Sequence, residues 1–297
     1  ITKLTYEGYQ FKGKHTTTSF TESGVTSTWG GRSKAGNTTT ENAITVASGT
    51  HTNIYGGWTT GSGSTAAADK QKNSIANKVK VNGSANVTGT VYGGFTNVAG
   101  GKAQNNEVTI EKNLAANIVG GKSTTGEASN NTVNLANATV SAVTGGEGAA
   151  TNNNTVNLNG GANVTGALKG GSQANGTGNT LNIKGKDNRA GQIAGFQKMT
   201  FDATGVTQGD TMLRLTDGTA MNGVDKDMLK ANGTSAGKVT LLENNAGINF
   251  TTAVAGDVLK SETNDTMEKS IGVERNGSQI TKLTYEGYQF KGKHTTT

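Results

Sequence analysis

"IVGGKSTTGEASNNTVNLANATVSAVTGG", Ile118 to Gly146, is the stretch on which the reading of this chain turns. It opens on an apolar residue ahead of a Gly-Gly pair and continues to an Asn followed by two apolar residues one position apart, Val133 and Leu135. It then places a third apolar residue at Val140 and returns to the Gly-Gly signature at Val143. Outward in both directions the signature recurs: "TWGG" at Thr28, "IYGG" at Ile54, "VYGG" at Val91, "LKGG" at Leu168 and a decayed "IAGF" at Ile193. Successive spacings are 26, 37, 27, 25, 25 and 25 residues. The Asn landmark recurs with it, as "NAITV" at Asn42, "NKVKV" at Asn77, "NEVTI" at Asn106, "NTVNL" at Asn131 and Asn154, and "NTLNI" at Asn179. A fixed period of this size marks a stack of repeats, each of which buries its apolar face only against its neighbours.

The pattern within one period is that of strands. Alternation with period two sends one side of each strand inward. Ile44, Val79, Val108, Val133, Val156 and Leu181 should therefore stack as one ladder, and Val46, Val81, Ile110, Leu135, Leu158 and Ile183 as the next. Val87, Leu114, Val140 and Val164 supply a third apolar position before each new Gly-Gly pair, giving up to three short strands per period. The fold class is all-β: a parallel β-solenoid of about 25-residue coils, six to seven of them over residues 28–193, rising roughly 4.8 Å per coil. The glycine pairs are expected at sharp turns with positive φ. Asn suits corners as well, and stacked amides can hydrogen-bond from coil to coil.

Composition fits this shape. Of 297 residues, 45 are Gly, none is Pro or Cys, and 32% are apolar. A broad globular core would be hard to fill at that apolar content, whereas a thin core is not. Proline is excluded where a strand pairs on both sides, because the missing N–H would break a ladder. The absence of cysteine removes disulfides and thiolate metal sites and suits an exported chain. The formal charge of +6 falls to +4 once the duplicated Lys3, Lys12, Lys14 and Glu7 are discounted. No basic run or aromatic-interleaved stripe accompanies that charge, so nucleic acid is not an expected partner.

Four regions follow. Residues 1–27 read as a leading strand and junction, 28–193 as solenoid coils, and 194–279 as a β-rich capping or junction module with a helical turn at Asp225 to Ala231. Residues 280–297 repeat residues 1–18, "ITKLTYEGYQFKGKHTTT", and read as the start of the next tandem unit. The second coil carries an excess near "GSGSTAAADKQKNS", where Ala66 to Lys72 could form a short helix or a loop. An open solenoid end exposes unpaired backbone and apolar core. The alternating segment with Leu4, Tyr6, Tyr9 and Phe11, and its copy with Leu283, Tyr285, Tyr288 and Phe290, is suited to cover such an end at an inter-unit junction. Neighbouring copies of the chain are thus the first expected partner, joined head to tail either as one long polypeptide or by strand donation.

Chemistry-bearing residues are sparse. Glu107, Glu111, Glu127, Glu147 and Asp187 do not recur in register as a catalytic carboxylate pair would. His15, His51 and His294 have no metal-ligand spacing, and no catalytic, metal or cofactor residues are assigned. "GGKST" at Gly120 lacks the upstream glycine and the following helix of a phosphate loop. One set of residues stands out: Trp29, Tyr55 and Tyr92 follow the inward residue in three consecutive coils, and Trp58 and Phe95 follow two of the glycine pairs. Alternation places Trp29, Tyr55 and Tyr92 outside, as a stripe able to stack on sugar rings or pack against another chain.

The runs "VYGGFTN…NNEVTI…IVGGKS…GEASNNTVNLANATV…VTGG", "GFQKMTFDATGVTQGDTMLRLT" and "GKVTLLENNAG" resemble the passenger regions of autotransporter-like surface proteins of Gram-negative bacteria, over roughly residues 28 to 245. The resemblance implies a right-handed β-helix exported through the outer membrane, with a membrane anchor outside these residues and a role as a surface fibre or adhesin that meets host or bacterial surface glycans. Such scaffolds also carry enzymes, so a carbohydrate-active β-helix enzyme and a phage fibre are the alternatives. A structural, non-enzymatic fibre is the expectation.

Overall fold

The computed structural model describes residues 14–17 as backbone, then 27–61, 72–173, 176–235, 237–263 and 267–290, with Gln289 and Phe290 as backbone only. The chain winds as a parallel β-solenoid with coils of about 26 residues. One wall is a nine-stranded parallel sheet built from the Asn-x-apolar segments, running from Lys14–Thr17 and Ala43–Val46 through Thr132–Ala136 to Lys198–Asp202 and Leu229–Asn232. The opposite wall is built from the glycine-pair segments, from Ser27–Ser33 and Thr50–Thr59 to Thr211–Leu215 and Val239–Glu243. Four two-residue strands, including Thr39–Thr40 and Ala128–Ser129, form a third, short sheet between them.

Register is set by the inward residues. Val108 pairs with Val133, Val133 with Val156, and Val156 with Leu181; Ile110, Leu135, Leu158 and Ile183 stack alongside. All of these are buried. A one-residue slip would turn each ladder to solvent, so the pattern fixes the pairing. Each fully buried Val, Leu or Ile contributes about 1.5–3 kcal/mol, which lets a narrow core hold the stack.

Next to the apolar ladders runs a buried polar one. Asn42, Asn77, Asn106, Asn131, Asn154 and Asn179 are at most 1% exposed. From Asn42 to Asn154 each Nδ2 donates to Oδ1 of the Asn in the next coil, at 2.7, 3.0, 3.0, 3.1 and 3.1 Å in order. The same Oδ1 also accepts the backbone N–H of the preceding rung, as from Asn131 to Asn154 at 3.0 Å. From Asn77 onward the second amide hydrogen goes to a backbone carbonyl, for example Asn131 to Ala103 O at 3.0 Å. Buried amides are costly unless satisfied, and these interior rungs are.

The glycine pairs differ from the sequence expectation. None of the six signature pairs, Gly30-Gly31, Gly56-Gly57, Gly93-Gly94, Gly120-Gly121, Gly145-Gly146 and Gly170-Gly171, has a positive φ. The left-handed residue sits just ahead of each ladder Asn instead: Glu41, Ala76, Asn105, Asn130 and Asn153 have φ between 55° and 57°, and Gly178 69°. The glycines are required by contact. A Cβ on Gly121 would lie 2.6 Å from the Asn131 amide, and one on Gly120 would strike the carbonyl of Gly145 in the next coil. The two landmarks of the sequence are therefore one device, an amide of one wall seated on the bare backbone of the other.

Parallel stacking does not stop at residue 193, where the sequence reading placed the change to a capping module. Met199 and Phe201 pair with Leu181 and Ile183, and Leu229 and Ala231 pair with them in turn. The Asn and glycine code lapses there while the inward apolar positions continue. The helical turn expected at Asp225 to Ala231 is a three-residue 3-10 turn, Lys226–Met228, capped by Asp225 and followed at once by the strand Leu229–Asn232. The polarity changes only beyond Val239–Glu243, where Gln279–Phe290 pairs antiparallel, followed outward by Met267–Asn276 and Val258–Thr263. The excess of the second coil, residues 62–71, and the leading segment with Leu4, Tyr6, Tyr9 and Phe11 lie outside the described residues.

Candidate functional site

The glycine-pair wall carries the aromatic residues on its outer surface. Register puts Trp29, Tyr55 and Tyr92 in one column, continued by Val119. Arg32, Trp58, Phe95 and Lys122 form the adjacent column, continued by Glu147. Ile54 and Thr59 are both buried although five positions apart, so strict alternation breaks once between them, at the glycine pair. That break turns Trp58 to the same side as Tyr55.

The two columns interlock. Tyr55 stacks on Trp58 at 4.6 Å and 13° and on Tyr92 at 5.0 Å and 11° between rings. Phe95 meets Tyr55 edge-on at 5.7 Å and Tyr92 at 5.4 Å, and Trp29 meets Trp58 edge-on at 5.9 Å. Tyr55, at the centre, is only 8% exposed, while Trp29, Trp58, Tyr92 and Phe95 are half-buried. The stripe is thus outward from the core, as expected, yet its middle ring is covered by its own neighbours.

Arg32 was not singled out by the sequence, although the residue following each glycine pair names its column: Arg32, Trp58, Phe95, Lys122, Glu147. Its guanidinium lies 3.9 Å from the Trp58 ring centre and 4.9 Å from that of Trp29, a placement favoured by the ring quadrupole. Burial lowers the Arg32 pKa, opposed by Tyr55. Burial raises the Tyr55 phenol, with Tyr92 adding to the rise and Arg32 opposing it. Arg32 Nε and Trp58 Nε1 are buried without a hydrogen-bond partner. At the other end Lys122 meets Glu147 at 2.7 Å and lies 5.9 Å from the Tyr92 ring. Burial works against its ammonium, but the hydrogen bond and charge of Glu147, with Tyr92, outweigh this and raise its pKa.

The carboxylates pair between coils. Lys78 and Glu107 are 3.0 Å apart, Lys80 and Glu111 2.7 Å, Lys102 and Glu127 3.4 Å, and Arg214 and Glu243 2.8 Å. Among the described residues no group of three His, Cys, Asp or Glu is placed to hold a metal ion. His51 is buried in the wall, its Nδ1 2.8 Å from the Thr28 hydroxyl and its Nε2 2.9 Å from Ser48 O. On the opposite wall an open groove of about 530 Å³ runs past Asn134, Asn157 and Asn182, whose outer amides are joined at 2.7 and 2.8 Å.

Of the expected junction residues, Leu283 and Tyr285 are buried and Tyr288 is 46% exposed. Phe290 lies in the same strand, its side chain outside the described residues. The chain matches no family model, no curated protein and no solved structure.

Proposed function

We propose that this chain is a structural repeat unit of a bacterial extracellular fibre, assembled head to tail on the cell surface, with an adhesive role. The observation that carries the adhesive part is the outer platform of Trp29, Tyr55, Trp58, Tyr92 and Phe95 with Arg32 seated over two indoles. The half-buried Trp29, Tyr92 and Phe95 offer ring surface to the apolar face of a sugar, with Tyr55 and Trp58 stacked behind them as support. The pairing of carboxylates with cations in neighbouring coils supports a scaffold over a hydrolase, since acid–base chemistry needs two such groups converging on one bond. The resemblance of residues 28–245 to surface passengers supports the location.

Surface glycans are the proposed ligand class, and neighbouring copies of the unit the structural partner. Tyr92→Ala in the 297-residue chain is expected to lower retention on immobilised glycans about tenfold or more, the equivalent of one aromatic contact of roughly 1.4 kcal/mol. Glycan binding unchanged by Tyr92→Ala would remove the adhesive reading of this face.

A further inference from the structure

Residues Ile280–Phe290 have the sequence of residues Ile1–Phe11, and here they are the central strand of a closed structure. They lie between the last parallel strand of the solenoid, Val239–Glu243, and the strand Met267–Asn276, antiparallel to both. Leu283 stands opposite Leu242 on one side and Val273 on the other, and Tyr285 opposite Val239 and Ile271. Leu283 is 0% exposed and Tyr285 1%. The Tyr285 hydroxyl donates to Gly233 O at 2.9 Å, and Thr281 O accepts the Asn244 N–H at 2.9 Å. A parallel strand here would present the same edge again and template further coils. The reversed strand ends that series, and the exposed, charged strand Val258–Thr263 becomes the new edge, as edges that resist pairing are built.

We infer that the segment ITKLTYEGYQF, which leads into a solenoid in sequence, is the closing strand of the solenoid before it, so that one folding unit runs from the first parallel strand, Lys14–Thr17, to Phe290. The slot between Val239–Glu243 and Met267–Asn276 is therefore the interaction surface, and its occupant is the eleven-residue segment that leads into the following solenoid. The inference rests on the tandem reading. It also sets the spacing. Lys293–Thr296 repeats Lys14–Thr17, the first parallel strand of the solenoid, and only Lys291 and Gly292 separate it from Phe290. Three residue steps reach at most about 11 Å, so successive solenoids abut instead of swinging on a linker.

The two copies allow the same substitution to be compared at two addresses in the intact 297-residue chain. Leu283→Ala is expected to lower the melting temperature by about 5 °C or more, and Leu4→Ala by about 1 °C or less. Tyr285→Phe and Tyr6→Phe form a milder pair should Leu283→Ala fail to fold, removing only the hydroxyl that reaches Gly233; the same asymmetry is expected. Equal effects at the two addresses, or a larger effect at the N-terminal one, would overturn the inference. A chain that bound no glycan would still give this asymmetry, so the adhesive reading and the phase of the fold fail separately.

Discussion

Asn131 donates to Asn154 Oδ1 and Ala103 O and accepts from the backbone and side-chain amides of Asn106, and Gly121 is the only residue type that leaves room for its amide. Asn131→Ala strands two donors of Asn106 and the carbonyl of Ala103, while Asn154 Oδ1 keeps the backbone N–H of residue 131, at a cost of about 3 kcal/mol. Gly121→Ala forces the same amide out of place and should cost a similar amount. Because both act on one contact, the double variant should lose about 1–3 kcal/mol less than the sum. Urea unfolding of the four chains measures this, and strict additivity would refute the pairing of amide and glycine. Both motifs were plain in the sequence, and the stacking of amides could be anticipated. That they touch could not, because glycine's better-known use, a positive φ, explained the pairs without reference to the other wall. The turn falls instead on Asn105, Asn130 and Asn153, where Asn tolerates it, and on Glu41 and Ala76, where composition gives no sign.

Strands and their connections carry the electrostatics. Asp210 closes a turn by accepting from the Thr207 hydroxyl at 2.7 Å and from its N–H at 3.0 Å, and it reaches Lys186 of the preceding coil at 3.0 Å. The Thr207 hydrogen bonds, more than the lysine, hold its carboxyl at a pKa of about 2. A carboxyl depressed on folding stabilises the fold above its unfolded pKa of about 4, and that contribution fades as the pH falls through about 2. Asp210→Asn should therefore be less stable than the parent chain at neutral pH, with the gap closing between about pH 4 and pH 2. A gap that persists at pH 2 would show that the carboxylate charge is not its source. The element boundaries were legible where the Asn landmark was. Past Asn179 the next rung is Gln197, whose Oε1 accepts the Asn179 N–H at 3.0 Å. The motif is lost there, although Met199 and Phe201 keep the core running. Arg32 was missed because its column is defined by register across coils, which a scan for aromatic residues does not follow.

At the scale of the molecule, the nine stacked levels of parallel strands that the described residues form in each wall at roughly 4.8 Å per step span about 40 Å. The reversed strand and its hairpin close one end. The solenoid could be read from the period alone, and the identity of residues 1–18 with 280–297 is the ground on which an array is proposed. Which side of the junction each half belongs to needed the pairing of Leu283 and Tyr285 with the last coil. If successive units abut, the coil axis is the fibre axis and every strand lies across it. X-ray diffraction from flow-aligned native fibres tests this most directly. The account predicts a reflection near 4.8 Å along the fibre axis; the same reflection at right angles to the axis would place the strands along the fibre and contradict it.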